Sequence, residues 1–223
     1  RRGGDAAVLA DMQREILRMD RIVQDLLDYA KPRPLPEPID LATPIRETMA
    51  RLGAQRAVDP GLLHVDVAGD LPLVRIERHA VEQLVVNLVL NARDARPDGR
   101  IWVGVGKANG GPIPEPRRAG DPAGADQRLA RERESRPWRA DQPASRSGVA
   151  LHVADEGPGV PEGERDRVFD LFYTTKPPGH GTGLGLAIAA RSVHDAGGVI
   201  WVDRGREGGA VFRVFLPAAG APA

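Results

Sequence analysis

The sequence predicts an α/β fold, a two-layer α/β sandwich with a mixed sheet, preceded by a long coiled-coil-like helix. Three observations carry this prediction. Segments with helical apolar spacing are interleaved with short period-two segments, but without the regular strand–helix–strand rhythm of an all-parallel sheet. The last two apolar runs, 198–203 and 209–217, flank a Gly-rich turn and read as a hairpin, so part of the sheet is antiparallel. The N-terminal stretch carries a heptad seam that needs other helices to bury it.

Residues 5–30 read as that helix. Leu9, Met12, Ile16, Met19, Val23, Leu26 and Ala30 fall at alternating spacings of three and four. The run KPRPLPEP (31–38) ends it, because proline cannot continue a helix, and reads as a linker. A short strand and a helix follow over 39–58, then an alternating strand at 62–67. Residues 76–95 form the strongest helix, and 100–106 and 148–155 are strands. The segment 181–198 is a Gly-rich loop feeding a helix that stops at Gly197-Gly198. Between the two middle strands, 107–147 is rich in Pro, Gly and Arg and poor in aliphatics, and reads as a disordered insertion. Residues 218–223 form a tail.

Composition narrows the function. The 223 residues balance 31 basic against 31 acidic side chains, so no global field favours nucleic acid or an anionic membrane. There is no cysteine, hence no disulfide or thiolate metal site, which suits a reducing cytoplasm. No apolar run reaches bilayer length and no signal peptide is visible, so no membrane contact is expected of these residues. Arg1 in place of Met suggests a fragment of a longer chain.

Three stretches carry chemistry. In LVVNLVLNARDA (84–95), Asn87, Asn91 and Asp94 form a polar stripe on a helix that is otherwise apolar almost all round. Such a stripe meets solvent or a ligand; amide oxygens suit a magnesium ion already neutralised by a triphosphate. In VADEGPGVP (153–161), Asp155 ends a strand, and Gly157 and Gly159 let the backbone turn and approach a flat ring. In FDLFYTTKPPGHGTGLGLAIA (169–189), Gly181, Gly183 and Gly185 open a helix whose exposed N–H groups suit an anion, and Lys176 precedes them. The lysine comes before the glycines, which disfavours a P-loop. Each stretch alone also fits a purely structural role.

In this order the three stretches resemble the ATP-binding domain of bacterial sensor histidine kinases, a member of the GHKL (Bergerat-fold) family. EQLVVNLVLNARDA is similar to its N box, DEGPG to the G1 box, RVFDLFYTTK to the F box and GTGLGL to the G2 box. DRIVQDLLDYAKP (20–32) resembles the second helix of the dimerisation and phosphoacceptor domain. The resemblance implies helices on one face of the sheet. It divides the chain into 1–31, the second dimerisation helix with the first missing; 32–38, the linker; and 39–217, the catalytic domain.

The resemblance also implies roles. Asn91 would coordinate Mg²⁺ and Asn87 would stand near the phosphates, with Asp94 beside them. Asp155 would read the adenine amine, with Gly157 and Gly159 lining the base. Phe169 and Phe172 would pack at the root of an ATP lid, and Lys176 would reach the γ-phosphate. Gly181, Thr182, Gly183, Leu184 and Gly185 would cradle phosphates. Asn87 and Lys176 would be the catalytic pair, and ATP and Mg²⁺ the cofactors. Related ATP hydrolases carry a Glu base at the position of Asn87, so its absence fits transfer to a protein group. The implied activity is that of a protein-histidine kinase, a phosphotransferase. Its partners would be a second copy through the 5–30 helix and a response regulator receiver domain, with no nucleic acid. Its place would be cytoplasmic, with any tether to the inner membrane lying upstream.

The match has departures. His64, His79, His152, His180 and His194 all lack the phosphoacceptor context, so the chain is expected to be inactive in cis. Val211 stands where the family often has Thr near the adenine. Two other readings fit: a non-catalytic nucleotide-binding or dimerisation module, and a GHKL-type ATPase.

Overall fold

The computed structural model describes residue 12 and residues 36–109, 147–177, 181–205 and 208–220. The heptad helix, the 32–35 part of the linker and His180 lie outside the described residues. Residues 36–220, where described, hold strands and helices in the order β1 (Pro38–Ile39), α1 (Ala42–Ala54), β2 (Leu63–Val67), β3 (Val74–Arg75), α2 (Arg78–Ala95), β4 (Ile101–Asn109), β5 (Ser147–Asp155), α3 (Gly185–Asp195), β6 (Val199–Arg204) and β7 (Ala210–Pro217). Two short 3-10 turns, Glu162–Glu164 and Arg167–Phe169, precede α3.

The main sheet runs β2-β4-β5-β7-β6, and β1 and β3 form a separate two-stranded ribbon. Only β2 and β4 are parallel, and the chain crosses between them through α2; every other neighbour is antiparallel. The expected mixed α/β sandwich is therefore present. The pairing also runs into both ends of the stretch read as an insertion: Lys107, Ala108 and Asn109 pair with Val149, Gly148 and Ser147. Ala108 is buried, which explains why the ladder extends past the point where composition turns polar. Beyond β7 the backbone stays attached, since Ala218 N donates to Ser147 O and Ala219 N to Leu73 O.

Local chemistry sets the helix ends. Asp40 receives the N–H groups of Ala42 and Thr43 at the start of α1, satisfying donors that have no partner inside the helix. At the end of α3, Gly197 at φ +70° donates to His194 O and Gly198 to Val193 O, a Schellman closure.

The core lies between the helices and one face of the sheet. Ala80, Val81, Leu84, Val85, Leu88, Val89 and Ala92 supply α2's buried stripe, packed between α1 and α3. Val103, Val105, Val149, Leu151, Val153, Phe212 and Val214 supply the sheet's half. Ala95 is exposed at the helix end. The other sheet face carries two smaller clusters, Trp102–Ala154–Val211 and Ala108–Ala150–Phe215, with no described helix residue among them.

Candidate functional site

In the polar stripe of α2, Asn87 and Asn91 are half-buried and Asp94 is exposed, and the stripe faces Lys176 and the start of α3. Asn87 donates from Nδ2 to the carbonyl of Gly185 at 2.8 Å, which ties α2 to the first residue of α3. A Cβ on Gly185 would sit 3.3 Å from the Asn87 amide, a tight contact that glycine avoids. One turn on, Asn91 Oδ1 accepts from Lys176 Nζ at 3.2 Å. The same Nζ lies 2.6 Å from Asp94 Oδ2. Burial works against the charge on Asp94, but hydrogen bonds from Lys176 and Arg93, and their charges, hold its carboxyl below the usual range.

Asp155 ends β5 beside the last turn of α2, where Gly157 meets Ala95, and is 5% exposed. Its Oδ1 accepts from Gly157 N at 2.8 Å and Ala210 N at 3.1 Å. Burial pushes its carboxyl up, and those two N–H groups push back. Gly157 lies against Ala95 and Asp155, where a Cβ would come within 2.8 Å of the alanine. Gly159 adopts φ +77°, and a side chain there would crowd the carbonyl of Gly208. Asp155, Gly157 and Gly159 are thus brought together, beside the end of α2.

The third stretch arrives by a backbone reversal. Phe172 sits at φ +66°, and its N–H donates to the carbonyl of Gly183, itself at φ +67°. A Cβ on Gly183 would fall onto the backbone of Phe172, so this crossing requires glycine. Thr182 accepts from Leu184 N, turning the chain into α3. Among the described residues no side chain caps α3, so its first N–H groups lack a side-chain acceptor, and the helix starts beside Asn87. Gly181 lies close to Thr174 and to the stem of Lys176.

The sequence-based roles need some correction. Phe169 packs edge-on against Phe212 with ring centroids 6.3 Å apart. Phe172 does not pack; its side chain is 59% exposed. The positive φ turns it outward and turns Tyr173 inward, where the hydroxyl donates to Glu164 at 2.7 Å. Leu184 is a core side chain, fully buried, so only its backbone can serve an anion. Val211 lies on the far face with Trp102 and Ala154, and Ala210 is the β7 residue on the Asp155 side.

Sequence reasoning missed Gly209, where a Cβ would fall onto the carbonyl of Asp155, and Arg93, which grips Asp94 Oδ1. The Gly208-Gly209 pair was a visible signal. Arg93 gave none, since helical arginines are common.

The four described histidines stay outside the site. His152 is buried across from Gly104, where any side chain would strike its ring, and burial together with Arg213 holds its pKa down to about 3. His64 stacks on Trp102, and His79 and His194 are exposed.

Residues 130–220 match the family model described as histidine kinase-, DNA gyrase B- and HSP90-like ATPase. Over these residues the chain carries a domain of this GHKL family. The matched span holds Asp155, the lysine segment and the glycine loop, while α2 with its asparagines lies before it. The sensor kinase CckA of Brucella abortus is 32% identical over 204 residues, 90% of this chain and 19% of that protein. Two solved structures share the fold. Full-length ShkA in complex with AMPPNP aligns at TM-score 0.59 and 22% identity, over 91% of this chain and 37% of its own. The histidine kinase ThkA in complex with the response regulator protein TrrA aligns at 0.58 and 23%, over 92% and 48%. The chain spans about a fifth of the curated relatives it matches first. The GHKL domain is a nucleotide-binding domain, and the residues above form its candidate pocket. Among the described residues, no helix is long and apolar enough to cross a membrane.

Proposed function

We propose that this chain is the catalytic, ATP·Mg²⁺-binding part of a two-component sensor histidine kinase. The observation that carries the reading is the arrangement along α2. A buried carboxylate among glycines stands beside its last residue, and along the stripe before it lie an amide, a lysine and the uncapped start of α3. The first suits a flat amine-bearing base and the second a chain of phosphates with a metal. The nucleotide named with ShkA and the regulator named with ThkA support the same reading.

The residues fit the absent group. Asp155 would accept the exocyclic amine of the base, with Gly157 and Gly159 giving the ring close backbone approach. Asn91 would offer its amide oxygen to Mg²⁺. Lys176 and the N–H groups of 182–185 would hold phosphate oxygens. Bound there, ATP·Mg²⁺ supplies the γ-phosphoryl group, and the chain's part is positioning and charge neutralisation. The acceptor would be a histidine outside these residues, followed by an aspartate of a response regulator. Residues 1–31 would be the second dimerisation helix, pairing two copies; 32–38 the linker; 39–217 the catalytic domain.

An ATPase reading needs a carboxylate to activate water beside the phosphates. Asn87 stands in that part of the stripe, and its amide is engaged with Gly185 O. Brisk steady-state hydrolysis by the isolated chain would favour the ATPase.

The deciding experiment uses the protein with its upstream helix restored. ATP should produce an acid-labile phosphoryl label that passes to a receiver domain. Bound ATP with no label would overturn the kinase reading in favour of a non-catalytic module. Asn91→Ala should weaken nucleotide binding about tenfold more with Mg²⁺ than in EDTA; equal losses would remove Asn91 from the metal shell.

A further inference from the structure

Lys176 Nζ does more than lie near the stripe. It is held at one point by two side chains from successive positions of the same helix face, Asn91 Oδ1 at 3.2 Å and Asp94 Oδ2 at 2.6 Å. That point is defined before any ligand arrives. Arg93 binds Asp94 Oδ1 through Nε at 2.9 Å and Nη2 at 2.5 Å, and anchors itself through Nη1 to Ala57 O at 3.1 Å. The carboxylate is thereby oriented with its other oxygen toward Asn91. Two hard oxygens and a resident cation are what a divalent metal site looks like when an ammonium fills it. The pair is also open to exchange, since the Lys176 and Asp94 side chains are 32% and 29% exposed.

We propose that Asn91 Oδ1 and Asp94 Oδ2 form one cation subsite that Lys176 and a divalent metal occupy in turn. An ammonium and a divalent cation cannot share a point a few ångströms wide, because their repulsion in a partly dry site is strong. Entry of the metal therefore expels Nζ, and the expelled ammonium is released toward the N-terminus of α3, where an anion would sit. Asp94 becomes a second oxygen beside the amide, directly or through a water. The site contains one carboxylate, and no group of three His, Cys, Asp or Glu surrounds it among the described residues, so metal alone binds weakly, on the order of millimolar. The assignment of Asn91 to the metal rests on the functional reading above; the exchange itself does not need a nucleotide.

The test therefore uses Mn²⁺ alone, with binding followed by electron paramagnetic resonance. Lys176→Met should bind Mn²⁺ about tenfold more tightly than the unaltered chain, because the competing cation is gone. The gain should vanish in Lys176→Met combined with Asp94→Asn. Lysine gives a second readout: Lys31, Lys107 and Lys176 are the only lysines, so ¹³C-methylation gives few, separable amine signals. The signal missing in Lys176→Met should move with Mg²⁺ toward its position in Asp94→Asn. Equal Mn²⁺ affinity with and without the Lys176 ammonium would overturn the proposal, as would a gain that survives Asp94→Asn. AMPPNP binding is measured separately, so failure of the exchange and failure of nucleotide binding stay distinguishable.

Discussion

Asp155 and Asp94 are the two carboxylates of one site, and they are held in opposite ways. Asp155 is 5% exposed and bound by backbone N–H groups of Gly157 and Ala210. Asp94 has a 29% exposed side chain and is bound by the long side chains of Arg93 and Lys176. Backbone donors fixed in a turn and a strand do not reorganise, whereas lysine and arginine heads exchange partners easily. In the proposed reading the base end is preorganised and the phosphate end is adjustable. That division suits a ligand whose base is invariant while its phosphates change during the reaction.

The comparison breaks most severely at Gly209. A Cβ there would land on the carbonyl of Asp155, a backbone atom that cannot rotate away. Gly209→Ala should cost ~3 kcal/mol of stability, read from the urea midpoint, the upper part of the range for overpacking. A loss under about 0.5 kcal/mol would mean that the base end yields, and the contrast would fail.

Next comes the base contact. Asp155→Asn can keep one oxygen for Gly157 and Ala210, but its other atom becomes a donor facing a donor amine. Adenine nucleotide affinity should fall about 50-fold in calorimetry, with the melting temperature little changed. Unchanged affinity would remove Asp155 from base recognition.

These two sites differ in how far sequence alone reveals them. Asp155 was legible because DEGPG places the carboxylate and its glycines within five consecutive residues. Gly209 was only half so: the Gly208-Gly209 pair is visible, but the need for it arises from a strand neighbour far away in the chain. Period-two and period-3.6 spacing exposed the long strands and helices. Neither could expose Val74–Arg75, too short to show a period, nor the 3-10 turns of 162–169. The aromatic run FDLFY shows the same limit. Its residues were read as two packing phenylalanines, yet one positive φ at Phe172 sends that ring to solvent and brings Tyr173 inward.

Acidification should separate the two ends. The Asp155 carboxyl is raised above its ordinary 3.8, so the folded state binds a proton there before the unfolded chain does. Its charged form costs stability as pH rises through the raised value, and that cost is relieved on acidification. Asp94 is lowered, so its ion pairs stabilise above 3.8 and are lost only as pH falls through its lower folded value. Adenine affinity needs ionised Asp155 and should drop first on acidification, while the Lys176–Asp94 contact persists. Loss of both together in a pH series, followed by calorimetry and lysine NMR, would mean that the two carboxylates are coupled.

The smallest effect concerns strain. Phe172 holds φ +66°, where an aromatic L-residue costs about 1–2 kcal/mol, and its exposed ring recovers little by burial. Asparagine tolerates this conformation and avoids the entropic penalty of glycine. Phe172→Asn should therefore raise stability by ~1 kcal/mol while keeping the N–H bond to Gly183. An increase places stored strain at the adjustable end, next to Lys176 and the uncapped start of α3. A decrease would mean that the exposed ring stabilises the fold by contacts that the described residues do not account for, and the adjustable end would then be more firmly packed than its hydrogen bonds suggest.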